Sequence, residues 1–579
     1  MEKVNLKINN IPVSVDKNKT ILEAAREIGI KIPTLCYLKE INEIGACRVC
    51  VVEVKGVRNL VASCVYPVQE GMEVFTNTPR VQKSRKMTLE LLLSIHDKKC
   101  LSCDRNGNCE LQALCKELGI EDDNRFEGEK PHYKIDDSTL HLIRDNNKCI
   151  LCRRCVSSCQ KQHVAVIGAN NRGFDTQIGC AFEKDLNDVT CISCGQCIVN
   201  CPTGALREKD QCDEVLEAIN NKRKHVIVQT APAIRVTLGE EFGMPIGTNV
   251  KGKMVTALRR LGFEKVFDTN FGADLTIMEE AYEFIDRLKN GGVLPMITSC
   301  SPGWVKFCEH YYPEFIDNLS TCKSPQQMVS AMIKTWYAKK KNIDPRDIVV
   351  VGVMPCTAKK FEIKREYQNA SGVNDTDYVL TTRELSKLIK KSGIDLKNLP
   401  EEDFDPAMGI SSGAGAIFGA TGGVMEAALR TAADVLTGKS TGNIDYKSVR
   451  GNKNIKEATY EIAGEKINVA VVSGLENVSK LLDEIKLGEK EYHFIEVMCC
   501  PGGCINGGGQ PIQPANVRNF TDVVGKRMKA LYEEDKSLRY RKSHENPIIK
   551  QLYEEFLNEP GSKIAHKILH TKYKKRNKF

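Results

Sequence analysis

Two runs of cysteine carry the clearest chemistry in this sequence. "CILCRRCVSSC" and "CISCGQCIVNCP" both read C-x2-C-x2-C-x3-C, and Pro202 follows the second. In such paired runs three cysteines hold one 4Fe-4S cluster and the fourth reaches across to the other. The spacing predicts one site on Cys149, Cys152, Cys155 and Cys201, and another on Cys191, Cys194, Cys197 and Cys159. Zinc is the weaker reading, because this crossed arrangement recurs with cubane clusters.

Two more sets precede them. Cys36, Cys47, Cys50 and Cys64 are spaced C-x10-C-x2-C-x13-C, and four thiolates suit zinc or an iron–sulfur cluster. His96, Cys100, Cys103 and Cys109 follow as H-x3-C-x2-C-x5-C. Alone, that set could hold zinc; its place between cluster motifs favours 4Fe-4S. Four clusters in a row would make an electron conduit, and a conduit needs a terminus. Among the cysteines that return late, Cys300, Cys356, Cys499, Cys500 and Cys504 stand on loops. The stretch "CCPGGCINGGGQ" adds glycines that let backbone approach a bulky inorganic group closely.

The elements that must position these residues change character along the chain. "VNLKINNIPVSVDKNKTILEAAREIGI" reads as two alternating strands and a short helix, which favours 2Fe-2S over zinc for the first set. This part resembles the ferredoxin-like first domain of large redox subunits. From about residue 210 the pattern is α/β: "HVIVQTAP", "VLPMITSC", "IVVVGVMPC", "NVAVVSG" and "YHFIEVMCC" alternate with helical stretches. Cys300, Cys356 and the pair Cys499–Cys500 each stand where such a run ends, the place where α/β sheets gather their sites. The expected fold is multidomain, α+β ferredoxin-like at the start and a large α/β domain after it. The boundaries read as a 2Fe-2S ferredoxin-like (β-grasp) domain over 1–80, a His/Cys3 segment over 81–131, a two-cluster domain over 132–209 and the α/β domain over 210–579.

Composition excludes several classes. Hydrophobic content of 41% and charged content of 27% are ordinary for a soluble globular chain. No apolar run reaches signal-peptide or membrane length, which predicts a cytoplasmic protein without membrane association. In that reducing setting 25 cysteines read as metal or redox ligands rather than disulfides. A net charge of +8 gives a weak lean towards acidic partners. The basic tail "HTKYKKRNKF" reads as a frayed solvated end, not a nucleic-acid arm. "GTNVKGKM" matches G-x4-G-K but has Met254 where a P-loop needs Ser or Thr. "SSGAGAIFGATGGVMEAALR" lacks G-x-G-x-x-G and reads as close packing around a site.

"TSCSPGW", "MPCTAKKFE" and "EVMCCPGGCINGGGQP" resemble the three signature loops of iron-only (FeFe) hydrogenases, in the form with four accessory clusters. The resemblance covers nearly the whole chain. It implies reversible proton reduction to hydrogen at an H-cluster, a 4Fe-4S cubane bridged to a two-iron unit carrying CO, cyanide and a dithiolate amine. The accessory cofactors it implies are one 2Fe-2S and three 4Fe-4S clusters. The partners are ferredoxin or flavodoxin as electron carrier and maturation proteins for the two-iron unit, with the chain itself a monomer. By the same resemblance Cys356, Cys500 and Cys504 are cubane ligands, Cys504 the bridging one, and Lys359 donates to a cyanide. Met354 and Met498 pack against the two-iron unit, and Ala231 and Pro232 wall the other cyanide. Glu280, Glu283, Arg287 and Ser320 match the proton path. The bare pattern of Glu280, Glu283 and Arg287 would be a surface salt-bridge stripe on one helix face.

One loop departs from the family. The pattern there is two adjacent cysteines, the first relaying protons and the second ligating the cubane; here Cys300 is followed by Ser301. Either Ser301 ligates through oxygen while Cys300 relays, or Cys300 ligates and a serine or water relays. The preference of iron–sulfur clusters for soft, readily deprotonated thiolate favours Cys300 as ligand. The intact set of Glu280, Ser320, Glu283 and Arg287 favours Cys300 as relay. Cys499, where alanine is commoner, could add a thiol nearby; Cys115, Cys180, Cys212, Cys308 and Cys322 read as small buried hydrophobes. The rival functions are a complex-I-type electron-transfer subunit, which would not need the three late loops, and a hydrogen sensor, which would append signalling domains.

Overall fold

A computed structural model describes residues 2–440, 442 and 444–577. Strands β1 (Lys3–Ile8) and β2 (Ile11–Asp16) pair antiparallel, with Val4, Leu6, Ile8, Val13 and Val15 turned into one core. This is the period-2 alternation of a half-buried hairpin. A helix, Ile21–Glu27, starts from a capping box between Thr20 and Glu23. Strands β3 (Val51–Val54), β4 (Val61–Ala62) and β5 (Glu73–Phe75) complete a sheet ordered β2-β1-β5-β3-β4. The helix Pro79–Ile95 then leads to His96 at its C-terminus.

The next segment is built from short helices and strands around a small core that includes Leu142, Ile167, Ile178 and Ile198. Strand β6 (Leu142–Arg144) and, much later, β9 (Leu206–Glu208) pair antiparallel and close it from both ends. Between them β7 (Gly168–Asn170) and β8 (Gln177–Gly179) form a short hairpin.

The remainder is built on two four-stranded sheets. The first runs β11-β10-β13-β14, all parallel, from β10 (His225–Thr230), β11 (Lys265–Asp268), β13 (Ile348–Met354) and β14 (Tyr378–Thr381). The second runs β12-β17-β16-β15, from β12 (Met296–Ile297), β15 (Ile455–Ile462), β16 (Glu465–Ser473) and β17 (Phe494–Met498), antiparallel only between β15 and β16. Every residue of β17 is buried, and so are five of six in β10. Each Val, Ile or Phe so buried contributes roughly 1.5–3 kcal/mol, which is why these strands read as unbroken apolar runs.

The helix Thr269–Asn290 follows β11, with the Asp268 carboxylate accepting from the Asn270 N–H at 3.0 Å. Buried Arg235 holds that cap, pairing with Asp268 at 2.6 Å and Glu534 at 2.9 Å. Met254, at the position where a P-loop needs Ser or Thr, is fully buried as a core residue of the helix Lys251–Leu261. The C-terminal tail is docked rather than frayed: Arg576 Nε donates to Glu309 at 2.6 Å and the Tyr573 hydroxyl to the Ser320 carbonyl at 3.0 Å. Its last residues, Lys578 and Phe579, lie outside the described residues. Among the described residues no helix is long and apolar enough to cross a membrane.

Candidate active site

The accessory cysteines gather in groups. Cys36, Cys47, Cys50 and Cys64 are all buried, and Cys50 Sγ lies 3.3 Å from Cys64 Sγ. The backbone N–H groups of Cys36 and Cys47 each donate to the other's sulfur at 3.4 Å. Cys149, Cys152, Cys155 and Cys201 line one small cavity. Cys159 has Cys191 and Cys194 as charge neighbours, and Cys197 has all three. Cys103 and Cys109 reach the same segment: a Cβ on Gly204 would lie 2.6 Å from Cys103 Sγ, and Cys109 Sγ approaches the Pro202 carbonyl at 3.7 Å. Cys100 is exposed, and His96 is buried with Nδ1 unpaired among the described residues, a nitrogen open to a ligand role.

These groups branch instead of forming a single file. The Asn42 amide donates to the Cys36 carbonyl at 2.7 Å and to the Cys152 carbonyl at 3.1 Å, tying the first set to the third. The His96–Cys109 segment meets the third set separately, at Pro202 and Gly204. From there the contacts pass through Cys155 and Cys197 to Cys194.

Cys194 lines the wall of a cavity. That cavity opens beyond the carboxyl ends of β10, β12, β13 and β17, at the meeting of the two sheets. Its walls carry Cys300, Cys356, Cys499, Cys500 and Cys504, with Ser301, Lys359, Met354, Met498, Ala231 and Pro232. Hydrogen bonds from the Cys499 and Gln196 side chains and the Gly508 N–H hold the Cys500 thiol below its ordinary range. Burial pushes the Cys356 and Cys504 thiols up; the neighbouring cysteines add to the rise and the Lys359 ammonium opposes it. Such a set fits a polynuclear iron centre, which would supply the missing positive charge. Gln326 gives a second sign of fit. Its amide lines the cavity, and among the described residues neither Nε2 nor Oε1 has a partner. A buried amide left so costs free energy unless a polar ligand meets it. The sequence reading missed Gln326; its only signal was a polar pair, "QQ", in an otherwise buried helical stretch. Phe418 and Gly419, from the glycine-rich stretch read as packing, also form the wall.

Lys359 Nζ donates to the Ser324 hydroxyl at 2.8 Å, the Cys300 carbonyl at 3.3 Å and Glu362 at 2.9 Å. The ammonium is thereby fixed at the cavity edge. Glu280 is almost fully buried. Burial pushes its carboxyl up to about 8; a Ser320 hydrogen bond opposes the rise, and the charges of Glu283 and Glu496 add to it. The Ser320 hydroxyl donates to Glu283 at 3.2 Å, and Arg287 donates to Glu283 at 2.6 Å. Glu280, Glu283 and Arg287 are therefore no surface stripe, because the loop carrying Ser320 covers that helix face. Cys322 is more than a small hydrophobe: its thiol lies 3.6 Å from Glu283 Oε2.

Cys300 and Ser301 part company. Burial raises the Cys300 thiol well above its ordinary range, with Glu280 the first charge adding to that rise and Cys504 the second. Ser301 is the N-cap of the helix Pro302–Tyr311, yet its hydroxyl caps no N–H of that helix. Instead it accepts from the Cys499 N–H at 3.3 Å. The Cys300 thiol thus feels the charge of Glu280, while Ser301 neighbours the turn that carries Cys499 and Cys500.

Known proteins share these features in the same order. Residues 1–79 match the 2Fe-2S iron-sulfur cluster binding domain, 85–124 the NADH-ubiquinone oxidoreductase-G iron-sulfur binding region and 148–205 the 4Fe-4S dicluster domain. Residues 224–508 match the iron only hydrogenase large subunit, C-terminal domain, and 521–576 the iron hydrogenase small subunit. The chain is 49% identical to the NADP-reducing hydrogenase subunit HndD of Solidesulfovibrio fructosivorans over all of both chains. It is 46% identical to iron hydrogenase 1 of Clostridium pasteurianum, covering 98% of this chain and 99% of that one. A solved variant of apo [FeFe]-hydrogenase HydA1 from Chlamydomonas reinhardtii superposes with a TM-score of 0.57 at 40% identity, over 63% of this chain and 99% of that one.

Proposed function

The chain belongs to the iron-only hydrogenases and is an FeFe hydrogenase with iron–sulfur electron-transfer domains; from that premise we propose how its residues divide the work. Cys36, Cys47, Cys50 and Cys64 hold a 2Fe-2S cluster, and His96, Cys100, Cys103 and Cys109 a 4Fe-4S cluster. The crossed sets Cys149, Cys152, Cys155, Cys201 and Cys191, Cys194, Cys197, Cys159 hold two more. Both outer clusters feed the set that includes Cys152, and electrons leave by way of Cys194. Its place in the cavity wall is the observation that carries this reading.

Cys356, Cys500 and Cys504 hold the cubane of the H-cluster, which, with its two-iron unit, supplies the centre where two protons and two electrons become hydrogen. Met354, Met498, Ala231 and Pro232 shape an apolar seat that keeps water out, while Gln326 offers its unpaired amide. Lys359, steadied by Glu362 and Ser324, presents a cation to the anionic ligands. Protons pass from Glu283, which Arg287 holds in place, through the Ser320 hydroxyl to Glu280, and from Glu280 to the Cys300 thiol. The charge of Glu280, the first to act on the Cys300 thiol, favours this relay over the role of ligand that the softness of sulfur suggests.

Glu280 sets a pH limit. With its carboxyl pushed up to about 8, it is neutral at pH 7 and can both donate and accept. As pH climbs through that value it becomes a carboxylate and loses its proton to give. Proton-reducing turnover should therefore fall across pH 7.5–9 by roughly tenfold per unit above the midpoint. In Glu280→Asp the midpoint should move, which a pH–rate profile reads directly.

For the electron partner we propose an acidic carrier of the ferredoxin or flavodoxin kind, which the net charge of +8 would attract. A partner subunit, as the name of the HndD relative suggests for that protein, would dock by the same outer domains. The matured protein should release hydrogen when given reduced ferredoxin, faster at low salt, because charge steering is screened within about 8 Å at physiological salt. Turnover with a small neutral dye should change little. No hydrogen from either donor would end the reading, and equal salt responses would end its electrostatic part.

A further inference from the structure

The cavity holds one thiol more than the roles above use. A 4Fe-4S cluster takes four thiolates, and Cys356, Cys500 and Cys504 provide three. Cys194 belongs to the accessory set, and Cys300 is taken up by the proton path proposed above. Cys499 remains.

Three features of the fold place it for that role. Cys499 and Cys500 follow the end of β17 in a bend, so the strand alternation that sends successive side chains to opposite faces no longer applies. Both line the same cavity. The Cys499 N–H donates to the Ser301 hydroxyl at 3.3 Å, so residues 301 and 499 are adjacent stones in one wall. A thiol moved from one position to the other stays beside the same space. Gly303 keeps room for it: a Cβ there would lie 2.8 Å from Cys499 Sγ.

We propose that Cys499 is the fourth cubane ligand, taking the role that Ser301, lacking a sulfur, leaves open. The inference rests on the reading that this cavity holds a cubane. Iron binds Cys499 as the thiolate, so ligation releases one proton and changes no oxidation state. The Ser301 hydroxyl then serves as a hydrogen-bond acceptor that fixes the backbone of residue 499, and the softness argument is satisfied without using Cys300.

The test compares full-length variants by iron content per chain and by the electron paramagnetic resonance signals of the clusters. Cys499→Ala should lose about four irons and the cubane signal while keeping the accessory signals. Ser301→Ala should keep both iron and signal. The double variant Ser301→Cys with Cys499→Ala should regain the cubane, which separates ligand loss from misfolding. Retention of the cubane in Cys499→Ala overturns the inference, as does its loss in Ser301→Ala. A wild-type protein without the cubane signal would instead overturn the assignment of the cavity.

Discussion

Cys300→Ser keeps its iron and its cubane but loses most of its hydrogen turnover, by about a hundredfold or more, the range expected when a positioned acid–base group is removed. Cys300 lies in a buried site, with Glu280 the first charge acting on its thiol. A thiol with an unperturbed value of about 8.5 exchanges protons far more readily than an alcohol. Serine at this position preserves size and hydrogen bonding but not that exchange. Iron analysis, cubane spectra and turnover on one preparation decide the matter. Loss of the cubane with the iron would show that Cys300 is a ligand, as the preference of iron for sulfur suggests from sequence alone.

Gly508→Ala has a different large effect, on the joint between conduit and cavity. A Cβ at Gly508 would lie 2.1 Å from the Cys194 carbonyl oxygen and 2.7 Å from the Cα of Gly195, both backbone atoms that cannot turn aside. The joint is otherwise tight: Thr357 donates to the Ser193 carbonyl at 2.8 Å and Gln196 to the Asn506 carbonyl at 3.0 Å. The methyl must push the accessory segment off the loop that carries Cys504. The strain should cost about 1–3 kcal/mol of stability, as overpacking does. Displacement on the order of an ångström should slow ferredoxin-driven turnover about tenfold or more. Thermal unfolding and single-turnover reduction measure the two effects. A variant with unchanged melting and unchanged electron delivery would show that electrons do not pass through this contact.

Local spacing told most of how the accessory cysteines group. The two C-x2-C-x2-C-x3-C runs present their ligands from short segments, so the residue pattern carries the grouping that the structure displays. The α/β strands were equally plain, because burial on both faces demands unbroken apolar runs. What spacing cannot carry is contact between distant segments. Asn42 meets Cys152, the tail at Arg576 meets Glu309, and Ser301 meets Cys499 only after folding. Glu280 shows the same limit: its helix pattern alone is that of a solvated stripe, and only the loop carrying Ser320 buries it. Gln326 was invisible for a related reason, since an unpaired amide is a property of its surroundings and not of its neighbours in sequence.

The central claim is that the cavity walled by Cys356, Cys500, Cys504, Lys359 and Gln326 seats the hydrogen-forming centre. Infrared spectroscopy of the purified, matured protein tests it most directly, because carbon monoxide and cyanide bound to iron absorb where protein does not. Such bands in the wild type, and their loss in Cys504→Ala with accessory clusters intact, are the expected result. A matured wild-type protein with its accessory clusters in place and no such bands would contradict the claim.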